Sequence, residues 1–204
     1  MAGGIGSRFW PFSRNNHPKQ FHDILGTGQT MIQQTVARFE GICPMENIYI
    51  VTNKIYKDKV KAQLPLLSDD QILLEPVARN TAPCVAYASY KIYQKNPEAN
   101  IVVAPSDHVI MKEEECRRCI EMSLSETERN PLIVTLGIKP HRPDTGYGYI
   151  QFLGKSYGEL HKVKTFTEKP NLELALQFIE SGDFVWNAGI FVFNARTIID
   201  SFEA

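Results

Sequence analysis

The chain has no run of about eighteen apolar residues, so nothing in it reads as a helix long enough to cross a bilayer. It also lacks an excess of either charge. With 22 Lys and Arg against 23 Asp and Glu, the net charge is −1, which leaves no basic field of the kind that holds nucleic acid non-specifically. Neither a membrane nor a nucleic acid is an expected partner. No charged-then-apolar leader with a small-residue cleavage site stands ahead of the first glycines, and the expectation is therefore a cytoplasmic protein. Cysteine is scarce, at four residues in 204. Cys116 and Cys119 make one C-x-x-C within KEEECRRCIEMSLSETE, but no second pair follows to complete a zinc tetrahedron. Cys43 sits in a loop-like ICPME and Cys84 in an apolar helical run, so none of the four reads as a nucleophile.

What is present is a chain with 43% hydrophobic residues, enough for a sizeable core. In TMIQQTVARF, Ile32, Val36 and Phe39 share a helical face, and Thr30 with Gln33 has the spacing of a capping box. NIYIVTN and ILLEP are short β-branched runs on either side of a charged helical stretch. RNTAPCVAYASYKIYQKN has helical spacing with Pro83 in its first turn, and NIVVAPSDH is another buried strand that stops in polar residues. Strands alternating with helices predict a parallel sheet with crossover helices, whose ligands sit at the carboxyl ends of the strands. From Leu132 the texture changes. LIVTLGIKP, GYGYIQF and KVKTFTEK have little helix between them, so part of this half should be antiparallel, before the helices NLELALQFIESGD and NARTIIDSF on either side of GIFVFN. The fold class expected is α/β, a Rossmann-like mixed and mostly parallel sheet with flanking helices, in one domain spanning 1–204.

Residues 3–21, GGIGSRFWPFSRNNHPKQF, pack three glycines, two arginines and a lysine into nineteen positions. The stretch fits neither a Rossmann G-x-G-x-x-G nor a Walker A loop. It leaves glycines whose N–H groups can approach an anion, with Arg8 and Lys19 to supply charge. Taken alone, it reads equally well as a solvated turn. Asp107 follows a buried strand, where an Asx turn or a helix cap would also place it. Asn80 and Thr81 suit a helix cap, Gly146 and Gly148 a strand bulge, and Glu168 with Lys169 a solvated surface pair. Trp186 reads as a packing residue.

Taken together the motifs point further. G-G-x-G-x-R followed by P-K resembles the signature of the sugar nucleotidyltransferases, and SRFWP with PKQF resembles their mannose-1-phosphate guanylyltransferase branch. EPVARNTAPCVA, VVAPSDH, TGYGYI, FTEKP and WNAGIFVF follow in the same order, so the resemblance covers essentially the whole chain. It implies the nucleotide-diphospho-sugar transferase fold, with GTP and mannose 1-phosphate as partners and GDP-mannose and diphosphate as products. It assigns the nucleotide to Gly3, Gly4, Gly6, Ser7, Arg8, Lys19, Glu75, Arg79, Asn80 and Thr81. The sugar phosphate falls to Gly146, Gly148, Glu168, Lys169 and Asn187. Arg8, Lys19, Asp107 and Lys169 are the implied catalytic groups, with Asp107 ligating Mg2+. His108 is expected to be structural, since imidazole suits magnesium poorly. Set against the family, the chain lacks the usual first strand ahead of the glycines and the second metal-binding aspartate, so it is expected to be truncated at both ends. That leaves open a non-catalytic nucleotide-sugar-binding relative or inert fragment, a relative using another nucleoside triphosphate or hexose 1-phosphate, and assembly as a homo-oligomer.

Overall fold

Thr30 and Gln33 close the capping box that their spacing predicts. The Gln33 side chain accepts from the Thr30 N–H at 2.9 Å, and Thr30 in turn caps the Gln33 backbone. The helix that follows, α1 (Met31–Ala37), buries Met31, Ile32 and Val36. The computed structural model describes residues 1–4, 9–75, 81–157 and 159–204. They fall into two compact units, Met1–Ile133 with Val192–Ala204, and Val134–Phe191.

In the first unit β1 (Ile50–Asn53) leads through α2 (Lys57–Gln63) to β2 (Ile72–Glu75), which pairs with β1 in parallel from Ile50 opposite Ile72 to Asn53 opposite Glu75. This is the strand, helix, strand unit expected from NIYIVTN and ILLEP. Next come α3 (Thr81–Lys95), β3 (Asn100–Val103) and α4 (Glu113–Arg129). Three glutamates open α4 and Arg129 closes it, each charge opposing the nearer end of the helix dipole. Phe21, Ile32, Ile50, Tyr56, Val60 and Ile72 are buried together. Side chains of this kind each contribute about 1.5–3 kcal/mol on burial.

The second unit is built on β4 (Ile133–Ile138), β5 (Gly148–Tyr157), β6 (Leu160–Glu168), α5 (Leu172–Ser181) and β7 (Phe184–Asn194). β5 runs antiparallel to both β6 and β7, as the scarcity of helix after Leu132 suggests, and β4 pairs with the far side of β7. Asn171 caps α5 by accepting from the Leu174 N–H at 2.9 Å, and Gly182 ends it at a φ of 75°, which a Cβ would strain. Tyr149, Ala175, Phe184 and Trp186 form the core, and the rings of Phe178 and Phe184 stack at 3.9 Å. The last residues of β7 return to the first unit, where α6 (Ala195–Glu203) packs on α3.

A gap lies between β1 and β3. β1 and β2 form a sheet of their own, while β3 belongs to the other sheet. Met1 and Ala2 bridge the two. The Met1 amino group donates to Ala104 O at 2.8 Å, Ser106 N–H donates to Met1 O at 3.0 Å, and Ala2 N–H donates to Val51 O at 2.8 Å. Successive residues bonding to opposite neighbours is the pattern of a central strand. Beside them lies a cavity of about 530 Å³ lined by Ile50 and Val51 of β1, Ile101 and Val103 of β3, and apolar residues of α1 and α3. Burial holds the Met1 ammonium below its ordinary pKa. Among the described residues no helix is long and apolar enough to cross a membrane.

Candidate active site

The first unit gathers its candidate residues around the carboxyl ends of β2 and β3, where a parallel sheet places ligands. Asp107 lies four residues beyond the end of β3. Lys19 donates from Nζ to the Asp107 backbone carbonyl at 2.8 Å, and its ammonium stands 3.8 Å from the Asp107 carboxylate. The same ammonium lies 4.6 Å from the centre of the Phe9 ring. A carbonyl, a carboxylate and an aromatic face therefore hold one cation, whose side chain is only 19% exposed. The Asp107 carboxylate, 41% exposed, remains open to a ligand.

Gln20 braces the segment from Ala2 to Gly4 by donating to Ala2 O at 2.9 Å and to Gly4 O at 3.2 Å. Sequence reading missed this residue, although it directly follows Lys19 in PKQF. Gly3 lies against Glu75: a Cβ built on it would stand 3.0 Å from Glu75 Oε2. The Glu75 carboxylate at the end of β2 thus borders Gly3. Thr81 is the first residue of α3. Gly6, Ser7, Arg8, Arg79 and Asn80, assigned to the nucleotide by resemblance, lie outside the described residues.

The thiols of this unit are not activated. Burial, with Glu75 close by, pushes the Cys84 thiol up to about 11, and burial also raises Cys43, Cys116 and Cys119. His108 is held below its ordinary pKa by burial, against the opposing pull of Asp107, and is neutral at pH 7.

In the second unit the register of the hairpin brings three sugar-side candidates together. Gly148 pairs with Glu168 across β5 and β6, and a Cβ on Gly148 would lie 2.7 Å from Glu168 Oε2 and 3.6 Å from the Asn187 Cβ. A larger residue there would require the exposed Glu168 carboxylate to move aside. Asn187 Oδ1 accepts from Gly189 N–H at 2.8 Å. Lys169 pairs with Glu168 at 3.0 Å, and both side chains are more than half exposed, so this pair contributes little to stability. The Lys169 backbone is unusual. Its φ of 45° is the only left-handed value outside glycine among the described residues, and its N–H donates to Tyr147 O at 3.2 Å. Gly146 N–H is held by Asp144 Oδ1 at 2.8 Å. Trp186 is 5% exposed and packs under His141, Tyr147 and Tyr149, as its packing assignment predicts.

Glycines at strand ends beside carboxylates and ammonium groups suit phosphate and hydroxyl ligands, and the sequence profile of the nucleotidyl transferase family matches residues 1–203. The chain belongs to that family. Mannose-1-phosphate guanylyltransferases of Salmonella montevideo and Escherichia coli K12 are 41% and 39% identical to it over its full length. The alginate biosynthesis protein AlgA of Pseudomonas aeruginosa is 35% identical. The chain spans less than half of these relatives, 44%, 44% and 42% of their lengths. Among solved structures, the protein described as a mannose-1-phosphate geranyltransferase from Thermus thermophilus superposes over all of this chain and 58% of its own, with a TM-score of 0.90 at 32% identity. One from Helicobacter pylori, described as a mannose-6-phosphate isomerase, covers 93% of this chain and 71% of its own, with a TM-score of 0.79 at 27% identity. The mixed α/β fold expected from the sequence is the fold of these neighbours.

Proposed function

We infer that this chain carries the nucleotidyl-transfer half of a mannose-1-phosphate guanylyltransferase, joining GTP and mannose 1-phosphate to make GDP-mannose and diphosphate. The supporting observation is the pairing of Lys19 with Asp107, together with the Glu75 carboxylate bordering Gly3. In this reaction an oxygen of the sugar phosphate forms a bond to the α-phosphorus of GTP while the bond from that phosphorus to the β-phosphate oxygen breaks, and the electron pair leaves with diphosphate. A phosphate monoester is already a competent nucleophile, so no activated serine, cysteine or histidine is needed, in keeping with the raised thiols and the neutral His108. The barrier lies in bringing two polyanions together, and fixed positive charge lowers it.

Lys19 serves the α-phosphate, and Arg8 the β- and γ-phosphates. Glu75 has the acceptor oxygens that the N1–H and N2–H₂ of guanine require. Lys169 holds the sugar phosphate, while Glu168 and Asn187 offer an acceptor and a donor to hexose hydroxyls. The partly exposed Asp107 carboxylate fits magnesium, which takes one or two carboxylates and completes its shell with water and substrate phosphate. Bound there, the ion would supply charge stabilisation at the phosphates.

Turnover assays with GTP, UTP, dTTP and ATP against mannose 1-phosphate and glucose 1-phosphate test the reading. GDP-mannose formation should dominate, and a preference for UTP or dTTP would reject the guanylyl assignment.

A further inference from the structure

The loop ahead of β5 is braced more heavily than a connection needs. Asp144 is its hub. Oδ2 accepts from Arg142 Nη2 at 2.8 Å and from Nε at 3.1 Å, Oδ1 accepts from Gly146 N–H at 2.8 Å, and the Asp144 carbonyl accepts from the hydroxyl of the fully buried Tyr149 at 3.0 Å. Arg142 then lies over Trp186, 5.4 Å from the ring, with His141 and Tyr147 against the same indole. One residue after Gly146, the Tyr147 carbonyl receives the N–H of Lys169, the residue in left-handed backbone conformation. A non-glycine residue stays there only when its surroundings impose it.

We propose that Asp144 is a positioning residue for the sugar phosphate: by holding Gly146 it sets the Tyr147 carbonyl, which in turn keeps the Lys169 backbone left-handed and its ammonium on target. The proposal rests on the reading of Lys169 given under Proposed function. Asp144 acts through the loop rather than on a substrate. Its carboxylate holds Arg142 and Gly146, and the loop reaches Lys169 through the backbone hydrogen bond to Tyr147 O, so loosening the loop shifts the Lys169 ammonium without removing it. The effect should fall on one substrate alone, because the GTP-side residues Lys19, Glu75 and Asp107 belong to the other unit.

Steady-state kinetics on Asp144→Ala, Asp144→Asn, Lys169→Met and the Asp144→Ala/Lys169→Met double variant test this. Asp144→Ala should raise KM for mannose 1-phosphate about tenfold, the loss of one well-formed hydrogen bond's influence, and leave KM for GTP within about twofold. Asp144→Asn retains an oxygen for Gly146 and should recover most of that loss, which also covers the case in which the alanine variant folds poorly. In the Lys169→Met background the alanine change should add less than about twofold, because the group it positions is already gone. Equal effects on both substrates, no recovery in Asp144→Asn, or full additivity with Lys169→Met would overturn the proposal. GDP-mannose formation by the wild-type protein is measured alongside. If it is absent, the functional reading fails and this proposal with it; if it is present and the variants behave otherwise, the proposal alone fails.

Discussion

Lys19 binds the backbone of Asp107 more closely than its side chain, at 2.8 Å to the carbonyl oxygen against 3.8 Å to the carboxylate. The cation thus anchors the segment after β3 and lowers the cost of bringing phosphate near a carboxylate, while that carboxylate keeps lone pairs for another ligand. One residue provides both the scaffold and the charge. The two roles separate by mutation.

Asp107→Asn keeps the shape and the backbone carbonyl, and so leaves the Lys19 bond in place. Its melting temperature should match the wild type within a degree or two. Turnover should fall by about a hundredfold or more, and the magnesium concentration for half-maximal rate should rise, because the removed charge is the proposed ligand. Chelation by EDTA should abolish wild-type turnover. Unchanged magnesium dependence in the variant would take Asp107 out of the site.

Lys19→Met removes a largely buried charge-assisted hydrogen bond and should cost stability as well as rate. Bonds of this class contribute about 1.5–3 kcal/mol. A thermal melt should show the loss, and GTP binding should weaken at the same time. Full stability with impaired GTP binding would mean that the contact to Asp107 O contributes nothing to the fold.

Arg8 and Lys169 are assigned to opposite substrates, so their methionine variants should differ. GTP binding should suffer in Arg8→Met and survive in Lys169→Met, with the reverse pattern for mannose 1-phosphate, each loss being about ten- to hundredfold. If Lys169→Met weakens GTP as much as Arg8→Met does, FTEKP belongs to the nucleotide site.

Periodicity and local chemistry make much of this molecule readable from its sequence. The strands at Ile50, Ile72 and Asn100, the helix starting at Thr81 with Pro83 in its first turn, and the Thr30 cap all depend on residues close in sequence. The antiparallel character beyond Leu132 followed from the absence of crossover helices. What stayed hidden depends on partners far apart in the chain. Gln20 reaching Ala2, Lys19 reaching the Asp107 backbone, and the Tyr147 carbonyl meeting Lys169 leave no local pattern. The sugar-side cluster was legible residue by residue, but the closeness of Gly148 to Glu168 and Asn187 emerges only from strand register.

Cys84 should be the slowest cysteine to alkylate. Its thiol is pushed up to about 11 from an ordinary 9, so at pH 9 about fiftyfold less thiolate is available than for an unperturbed cysteine, and the side chain is buried as well. Raising the pH towards 11 increases the thiolate, so labelling should accelerate across that interval as long as the fold persists. Peptide mapping after iodoacetamide treatment of the native protein gives the rates. Labelling of Cys84 as fast as the partly exposed Cys119 would contradict its core placement.

The gap between β1 and β3 makes the strongest stability prediction. Adding four or five β-branched apolar residues ahead of Met1 should extend the strand that Met1 and Ala2 begin, and the existing bonds dictate the register. Met1 bonds to the β3 side and Ala2 to the β1 side. A residue joined to the Met1 nitrogen would then donate to Tyr49 O and accept from Val51 N–H, and the one before it would donate to Val102 O and accept from Ala104 N–H. The Met1 ammonium would become a peptide N–H able to make the same bond to Ala104 O without the cost of burying a charge. Each buried side chain contributes about 1.5–3 kcal/mol and each ordered residue costs about 1–2 kcal/mol of backbone entropy, so a gain of a few kcal/mol is expected. In a chain of this size that raises the melting temperature by several degrees. Hydrogen exchange should slow at Val51 and Ala104 in the extended protein. A control extension of equal length with proline two residues before Met1 removes the donor for Val102 O and should give little of the gain. Equal stabilisation by both extensions would show that the cavity is filled without strand pairing, and the register argued here would be wrong.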